Sequence, residues 1–157
     1  MNRRRLAIAV IGAGQASSEQ RILAREVGSE IGRRNGALIC GGRGGVMEAA
    51  AQGALAAGGH TIGILPGYNH ADANPHIEFV IATGMGQARN MIVVASADAI
   101  IALPGEAGTL SEIGLAMKIG RPVIALKAWE QLSGLHRADT PGEAVALAFA
   151  LGRGDPR

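Results

Sequence analysis

Three glycine-rich turns are the segments of this 157-residue sequence best suited to chemistry, at residues 12–14, 41–45 and 104–109. Each follows a short apolar run, and the second and third lead directly into predicted helices. Glycine leaves backbone N–H groups open to a ligand, and a helix start adds partial positive charge, so such turns suit phosphate or another anion. The alternative is that they are ordinary tight turns between a strand and a helix.

The candidate residues of this anion site come from all three turns. They are Gly12, Gly14, Gly42, Arg43, Gly44, Gly45, Pro104, Gly105, Gly108 and Thr109. Arg43 stands inside a glycine run, where a guanidinium strengthens a backbone anion site, although a solvated loop arginine is the alternative. Glu112 follows Thr109 at the spacing of a helix capping box, so a purely structural role is open for it. Arg89 could likewise be a surface residue of a helix.

Other phosphate and metal motifs are missing. A dinucleotide fingerprint needs glycine where Ser17 stands and an acidic residue at the end of the second strand, where Cys40 runs into Gly41. No G-x-x-x-x-G-K-[ST] loop occurs, which disfavours ordinary ATPase chemistry. The four histidines lack metal-ligand spacing, and a single cysteine allows neither an internal disulfide nor a cysteine cluster. We therefore expect no metal site.

Six apolar runs predict strands that place these turns at one sheet edge, and they alternate with predicted helices. The strands are predicted at 6–11, 37–40, 60–65, 77–82, 99–103 and 123–126, and the helices at 17–34, 46–57, 84–97, 109–119 and from Thr140 onward. Such a pattern predicts a parallel sheet covered on both faces. We expect one α/β domain, Rossmann-like and doubly wound, with a mostly parallel sheet of about six or seven strands. Its ligands should bind at the carboxyl ends of the strands.

Composition limits the class of protein. Apolar residues make up 48% and charged residues 18%, which excludes disorder. A chain of this length can bury roughly two-thirds of its unfolded surface in one domain. We expect a basic leader at 1–5, the domain at 6–152 and a tail at 153–157.

Charge and hydropathy bear on the partners and the cellular location of the protein. Arg3, Arg4 and Arg5 supply three positive charges of a net +2, so the remainder carries −1. Together with 3% aromatic residues, this charge argues against nucleic-acid binding. No apolar run approaches the ~20 residues of a membrane helix, and the start does not resemble a signal peptide. We expect a cytoplasmic protein without a membrane partner.

The third and fourth predicted helices carry more apolar residues than one sheet face can cover. Residues 91–95 form a run without a polar face, and the fourth helix adds Leu115, Met117 and Ile119. A helix that is apolar all round needs cover on more than one side. We therefore predict a homo-oligomer, a dimer or a tetramer, assembled through these two helices.

Four motifs in a fixed order carry a family resemblance: GGRGGVM at 41–47, GILPG at 63–67, GQARN at 86–90 and PGEAGTLSE at 104–112. They resemble the Lonely Guy superfamily, once labelled lysine-decarboxylase-like. The Asn74-Pro75 loop and the segment from Thr83 to Asn90 resemble a short bacterial branch related to molybdenum cofactor carriers. The resemblance implies a Rossmann-like fold, a homo-oligomer and a small phosphate-bearing ligand. It implies no resident cofactor, and it makes the molybdenum cofactor a candidate cargo.

Hydrolases of this superfamily cleave the N-glycosidic bond of nucleoside 5′-monophosphates, and the resemblance places their catalytic arginine and glutamate at Arg89 and Glu112. Thr109 falls in their phosphate-binding loop. Two departures weaken this reading, since Asn90 replaces a lysine and Glu106 replaces a glycine. We therefore favour a carrier-like protein that binds a nucleotide or a molybdopterin-type ligand. A nucleoside 5′-monophosphate phosphoribohydrolase is the alternative, and a DNA-binding relative is disfavoured.

The old decarboxylase label does not suit this chain. Its two lysines, Lys118 and Lys127, lie beyond the opening turn of the fourth helix and away from the predicted site. Neither is placed to form a Schiff base with pyridoxal phosphate. If the protein is an enzyme, it is not a pyridoxal-dependent lysine decarboxylase.

Overall fold

A seven-stranded parallel sheet forms the centre of the computed structural model, which describes residues 4–154. The strands are β1 Ala7–Ile11, β2 Ala37–Cys40, β3 His60–Leu65, β4 Phe79–Ala82, β5 Ala99–Ala102, β6 Val123–Leu126 and β7 His136–Ala138. Their order across the sheet is β4-β3-β2-β1-β5-β6-β7. This confirms the predicted doubly wound α/β fold. Strand β7 escaped the pattern of apolar runs because two of its three residues, His136 and Arg137, are polar and exposed.

Helices cover both faces of the sheet. They are α1 Ser18–Arg33, α2 Val46–Ala56, α3 Arg89–Ser96, α4 Ala107–Lys118 and α5 Pro141–Gly152, with short 3-10 turns at His70–Asp72 and Gly86–Ala88. Alternate residues of a strand point to opposite faces of the sheet. In β1, Ile8 and Val10 pack against α1, α2 and α5. Ala9 and Ile11 pack against α3 and α4. No helix of the described residues is both long and apolar enough to span a bilayer.

Local sequence signals fix the starts of α1 and α5. The Ser17 side chain accepts a hydrogen bond from the Gln20 backbone and the Gln20 side chain accepts one from Ser17, which is the predicted capping box of α1. Thr140 caps α5 in the same way by accepting from the Glu143 backbone N–H, 3.2 Å away. These contacts satisfy backbone donors that a helix start leaves free.

Two helix starts differ from the prediction. Helix α4 begins at Ala107 with Glu106 at its N-cap, so Thr109 lies inside the first turn and the predicted Thr109–Glu112 capping box is wrong. Helix α3 begins at Arg89 rather than at residue 84. Gly84 and Gly86 have φ of +62° and +59°, which interrupts any regular helix before Arg89.

The chain changes direction across the sheet between β4 and β5. Strands β1 to β4 run outward to one edge, and β5 then returns to the other side of β1. In such a sheet the connections beside the first strand turn to opposite faces and leave a crevice at the carboxyl ends. The crevice expected from this topology therefore lies between the ends of β1 and β5.

The predicted leader and tail fall partly outside the described residues, which exclude 1–3 and 155–157. Arg4, the first described residue, donates to both carboxylate oxygens of Asp98 at 2.8 and 2.7 Å. The same carboxylate accepts from the Ala7 backbone N–H at 2.8 Å. The Arg4 pair lowers the pKa of Asp98 although burial opposes it. This contact joins the start of the chain to the turn before β5.

Candidate functional site

A pocket of about 370 Å³ opens at the carboxyl ends of β1, β2 and β5. It lies at the crevice that the topology predicts. Its lining residues are Val10, Ile11, Gly12, Ala13, Gly14, Gln15, Gly41, Met47, Gln87, Arg89, Asn90, Glu106, Gly108, Thr109 and Glu112. Six residues that the sequence singled out meet here: Gly12, Gly14, Arg89, Gly108, Thr109 and Glu112. The other six lie beside the pocket rather than on its wall: Gly42, Arg43, Gly44, Gly45, Pro104 and Gly105.

The backbone of one residue, Ala13, joins the three glycine turns. Its N–H donates to the Pro104 carbonyl at 2.9 Å, and its carbonyl accepts from the Val46 N–H at 3.0 Å. Gly45 packs so closely that a side chain there would overlap the backbone oxygens of Ala13 and Gly14. Pro104 and Gly45 therefore shape the pocket by holding its loops together.

A second set of contacts supports the turn after β2. The Gly42 carbonyl accepts from the Asn74 N–H at 2.9 Å, and the Arg43 carbonyl accepts from the Asn74 side chain at 2.8 Å. The Arg43 side chain is exposed and stands outside the pocket wall. Arg43 therefore reaches the site through its backbone and its long-range charge.

Arg89 lies at the start of α3 and reaches across to the strand ends. Its Nη1 donates to the carbonyls of Gly41 and Ile64, at 2.6 and 2.8 Å. Its Nε is buried without a hydrogen-bond partner among the described residues. Burial lowers the pKa of the guanidinium, and the nearby Glu112 partly offsets that effect. Arg89 thus ties β2 to β3, and its Nη2 makes no hydrogen bond to a described residue and is not enclosed.

Gly41 makes the position of Arg89 possible. A side chain at this position would overlap the guanidinium of Arg89 and press on the Met47 sulfur. The sequence analysis placed Gly41 in a glycine turn but did not select it as a site residue. Its place as the first residue beyond a buried strand is the signal that could have done so.

Glu112 projects from the second turn of α4 into the same pocket. Burial raises its pKa from 4.5 to about 7, and the positive charge of Arg89 acts against this rise. A carboxyl group with such a pKa exchanges its proton readily near neutral pH, which is the property of a general acid or base. The arrangement could therefore bind a polar group or move a proton.

The remaining polar wall is made mostly of neutral groups. Gln15, Gln87 and Asn90 contribute amides, and Thr109 contributes a buried hydroxyl that packs on Gly105. Glu106 stands exposed at the N-cap of α4. Of these, the sequence analysis marked Asn90 and Glu106 only as departures from a motif, and it missed both glutamines because isolated amides carry no pattern.

Comparison with known proteins identifies the family of the chain and its structural relatives. A model of the SLOG cluster4 family matches residues 5–148 of the chain. A cytokinin riboside 5′-monophosphate phosphoribohydrolase from Mycobacterium tuberculosis is 33% identical over 124 residues, which span 73% of this chain and 66% of that protein.

Two solved structures are similar over nearly their whole length. The molybdenum cofactor binding protein from Rippkaea orientalis is 37% identical with a TM-score of 0.91, over 96% of this chain and 99% of that one. The molybdenum cofactor carrier protein from Chlamydomonas reinhardtii is 32% identical with a TM-score of 0.87, over 94% of this chain and 98% of that one.

Proposed function

The chain belongs to the SLOG cluster4 family, and from that premise we propose that it is a carrier-like protein for a small phosphate-bearing ligand. The ligand class is a nucleotide or a molybdopterin-type compound, bound in the pocket between the ends of β1 and β5. Similarity to the two molybdenum cofactor proteins supports the carrier role and makes that cofactor a candidate cargo. A cytoplasmic location and the lack of a nucleic-acid partner stay predictions.

The observation that carries this proposal is that glycines, which expose backbone atoms, line part of the pocket wall. Gly12 and Gly14 line the pocket, and so does Gly108 in the first turn of α4. Backbone N–H groups of a helix start favour an anion. The guanidinium of Arg89, which also lines the pocket, adds positive charge to the site. We place the phosphate against the first turn of α4.

Gly108→Val is expected to abolish phosphate and nucleotide binding while the fold survives. A side chain at this position would meet no protein atom within 4 Å, so it would project into open space at the pocket. Calorimetric titration with inorganic phosphate and guanosine 5′-monophosphate measures the loss. Gly114→Val is the matched control, because Gly114 lies in the same helix with equal free space but outside the pocket. Equal affinity of both variants for both ligands would overturn the placement.

The alternative function is hydrolysis of a nucleoside 5′-monophosphate. Arg89 and Glu112 face one pocket, and Glu112 has a pKa of about 7. Glycosidic cleavage passes through an oxocarbenium-like state that a carboxylate stabilises. The 33% identity with a phosphoribohydrolase supports this alternative. Against it stand Asn90 and Glu106, which remove one cation from the site and add one anion.

We also propose a homo-oligomer that buries α3 and α4. Leu110, Met117 and Ile119 of the α4 segment are 46%, 44% and 38% exposed. Phe79 and Ile81 of β4 are exposed on the same side of the sheet, since their register partners Ile62 and Ile64 pack with α3 and α4. Sedimentation at micromolar protein is expected to give at least twice the chain mass of 16.0 kDa. A monomer mass contradicts this proposal.

A further inference from the structure

Several polar groups on the pocket wall lack partners within the protein. Asn90 is 6% exposed, and its amide makes no hydrogen bond to any residue that the structure describes, unlike the amide of Asn74. Thr109, 4% exposed, likewise makes no side-chain hydrogen bond to the described residues. Among those residues, neither Asn90 nor Thr109 has a polar atom that is both fully enclosed and unpaired, so their polar atoms open to the pocket that both residues line. Such groups are available to bond a ligand.

The unpaired groups include both donors and acceptors. The Asn90 amide offers two N–H donors and a carbonyl oxygen, and the Thr109 hydroxyl can serve as either. The Glu112 carboxyl adds acceptors when it is ionised, and its side chain makes no hydrogen bond to any residue that the structure describes. A phosphate, which accepts but does not donate, would leave the oxygens of Asn90 and Glu112 unpaired. The inner wall therefore fits a ligand group that donates as well as accepts.

The local charge agrees with a neutral ligand group. Arg89 is the cation on the pocket wall, and its Nη1 is already bonded to the carbonyls of Gly41 and Ile64. Glu112 shares this wall, whereas Glu106 is exposed at the N-cap of α4. An anion placed deep in the pocket would meet the Glu112 carboxyl group and one partly engaged guanidinium. The first turn of α4 offers its backbone N–H groups to an anion, and the nearby Glu106 carboxylate acts against that attraction.

We propose that Asn90 is a specificity-determining residue, which makes the inner pocket select a neutral group with hydrogen-bond donors and acceptors. This inference rests on the proposed function, because it places the selected group behind a phosphate bound at α4. Two chemical sources provide such a group: the edge of a heterocyclic base with adjacent N–H and carbonyl groups, or the hydroxyl pair of a sugar. In both, the Asn90 amide donates to an oxygen of the ligand and accepts from its O–H or N–H.

The test compares three probes by calorimetric titration: inorganic phosphate, ribose 5-phosphate and guanosine 5′-monophosphate. At least one organic probe is expected to bind the native protein 10-fold or more tightly than phosphate. Asn90→Leu, of similar volume, removes both hydrogen-bonding functions and is expected to reduce that preference about 10- to 100-fold. Phosphate affinity should change little. Gln52→Leu is the control, since Gln52 lies on α2 and outside the pocket.

A second variant keeps the inference testable if Asn90→Leu fails to fold. Asn90→Lys restores a cation, so phosphate should bind more tightly and the preference for the organic probes should shrink. A preference carried by ribose 5-phosphate identifies the sugar as the selected group, and one that appears only with the nucleotide identifies the base. Equal affinity of the native protein for all three probes, or an equal loss for all three in Asn90→Leu, overturns the inference. If phosphate itself fails to bind the native protein, the proposed function fails instead.

Discussion

Gly45→Ala is expected to destabilise the protein by about 3–5 kcal/mol and to abolish ligand binding. Gly45 has φ of +68° and ψ of −129°, a conformation that residues with a side chain strongly disfavour. A Cβ there would also overlap the carbonyl oxygens of Ala13 and Gly14. The chain cannot relieve this overlap without breaking the bond from Val46 to Ala13, 3.0 Å long, at the start of α2. Urea unfolding and phosphate titration measure the two losses.

Two other glycines separate the causes of this effect. Gly58 also has a positive φ, +78°, but no atom lies within 4 Å of a side chain placed there. Gly58→Ala therefore measures the stability lost when alanine adopts a positive φ without any steric overlap, about 1–2 kcal/mol. Gly44 neighbours Gly45, lacks a positive φ and offers ordinary contact distances from 3.6 Å. Gly44→Ala should leave stability nearly unchanged. Equal losses in all three variants would contradict the role assigned to the Ala13 contact.

Glu112→Gln is expected to stabilise the fold above pH 7. The native pKa of about 7 exceeds the ordinary 4.5 because the carboxyl is buried. Between these values the native state holds a proton that the unfolded chain has released, so the free energy of unfolding falls as pH rises through this window. The loss at pH 8 amounts to about 2–3 kcal/mol. Glutamine carries no charge, so the variant should lose this pH dependence and match the native protein near pH 4.

Denaturant unfolding at pH 4, 6 and 8 measures this pattern, with Glu26→Gln on the exposed side of α1 as the matched control. The control should follow the native pH profile. A native protein whose stability does not fall between pH 5 and 8 would show that Glu112 is not held in a desolvated site.

The same variant separates the two candidate functions. In a hydrolase, Glu112→Gln should lower the release of free base from nucleoside 5′-monophosphates by about 10²–10³. In a carrier there is no turnover to lose, and affinity should change modestly. We expect the carrier pattern, with no release of base at an enzymatic rate by the native protein. Efficient hydrolysis that is unchanged by restoring lysine at position 90 and glycine at position 106 would reverse our order of the two functions.

The sequence predicts the fold well because its strands are short, apolar and bounded by glycine. It places Arg89 and Glu112 through a family resemblance, and the structure brings both to one pocket. What escaped prediction depends on tertiary contact. The Thr109–Glu112 capping box failed because α4 begins two residues before Thr109. Gly41 is needed because the Arg89 guanidinium packs against it, and no local sequence pattern predicts that long-range contact.

The backbone of Ala13 is hydrogen-bonded to Pro104 and Val46, so the outer wall of the pocket is built from main-chain atoms. Evolution cannot adjust such a wall one side chain at a time, since a substitution that moves one turn disturbs the other two. New ligand preferences are expected instead at polar positions that line the pocket, such as Gln15, Gln87, Asn90 and Glu106. Under the proposed function, the backbone wall is common to a carrier and a hydrolase, and these few positions are where the two would differ.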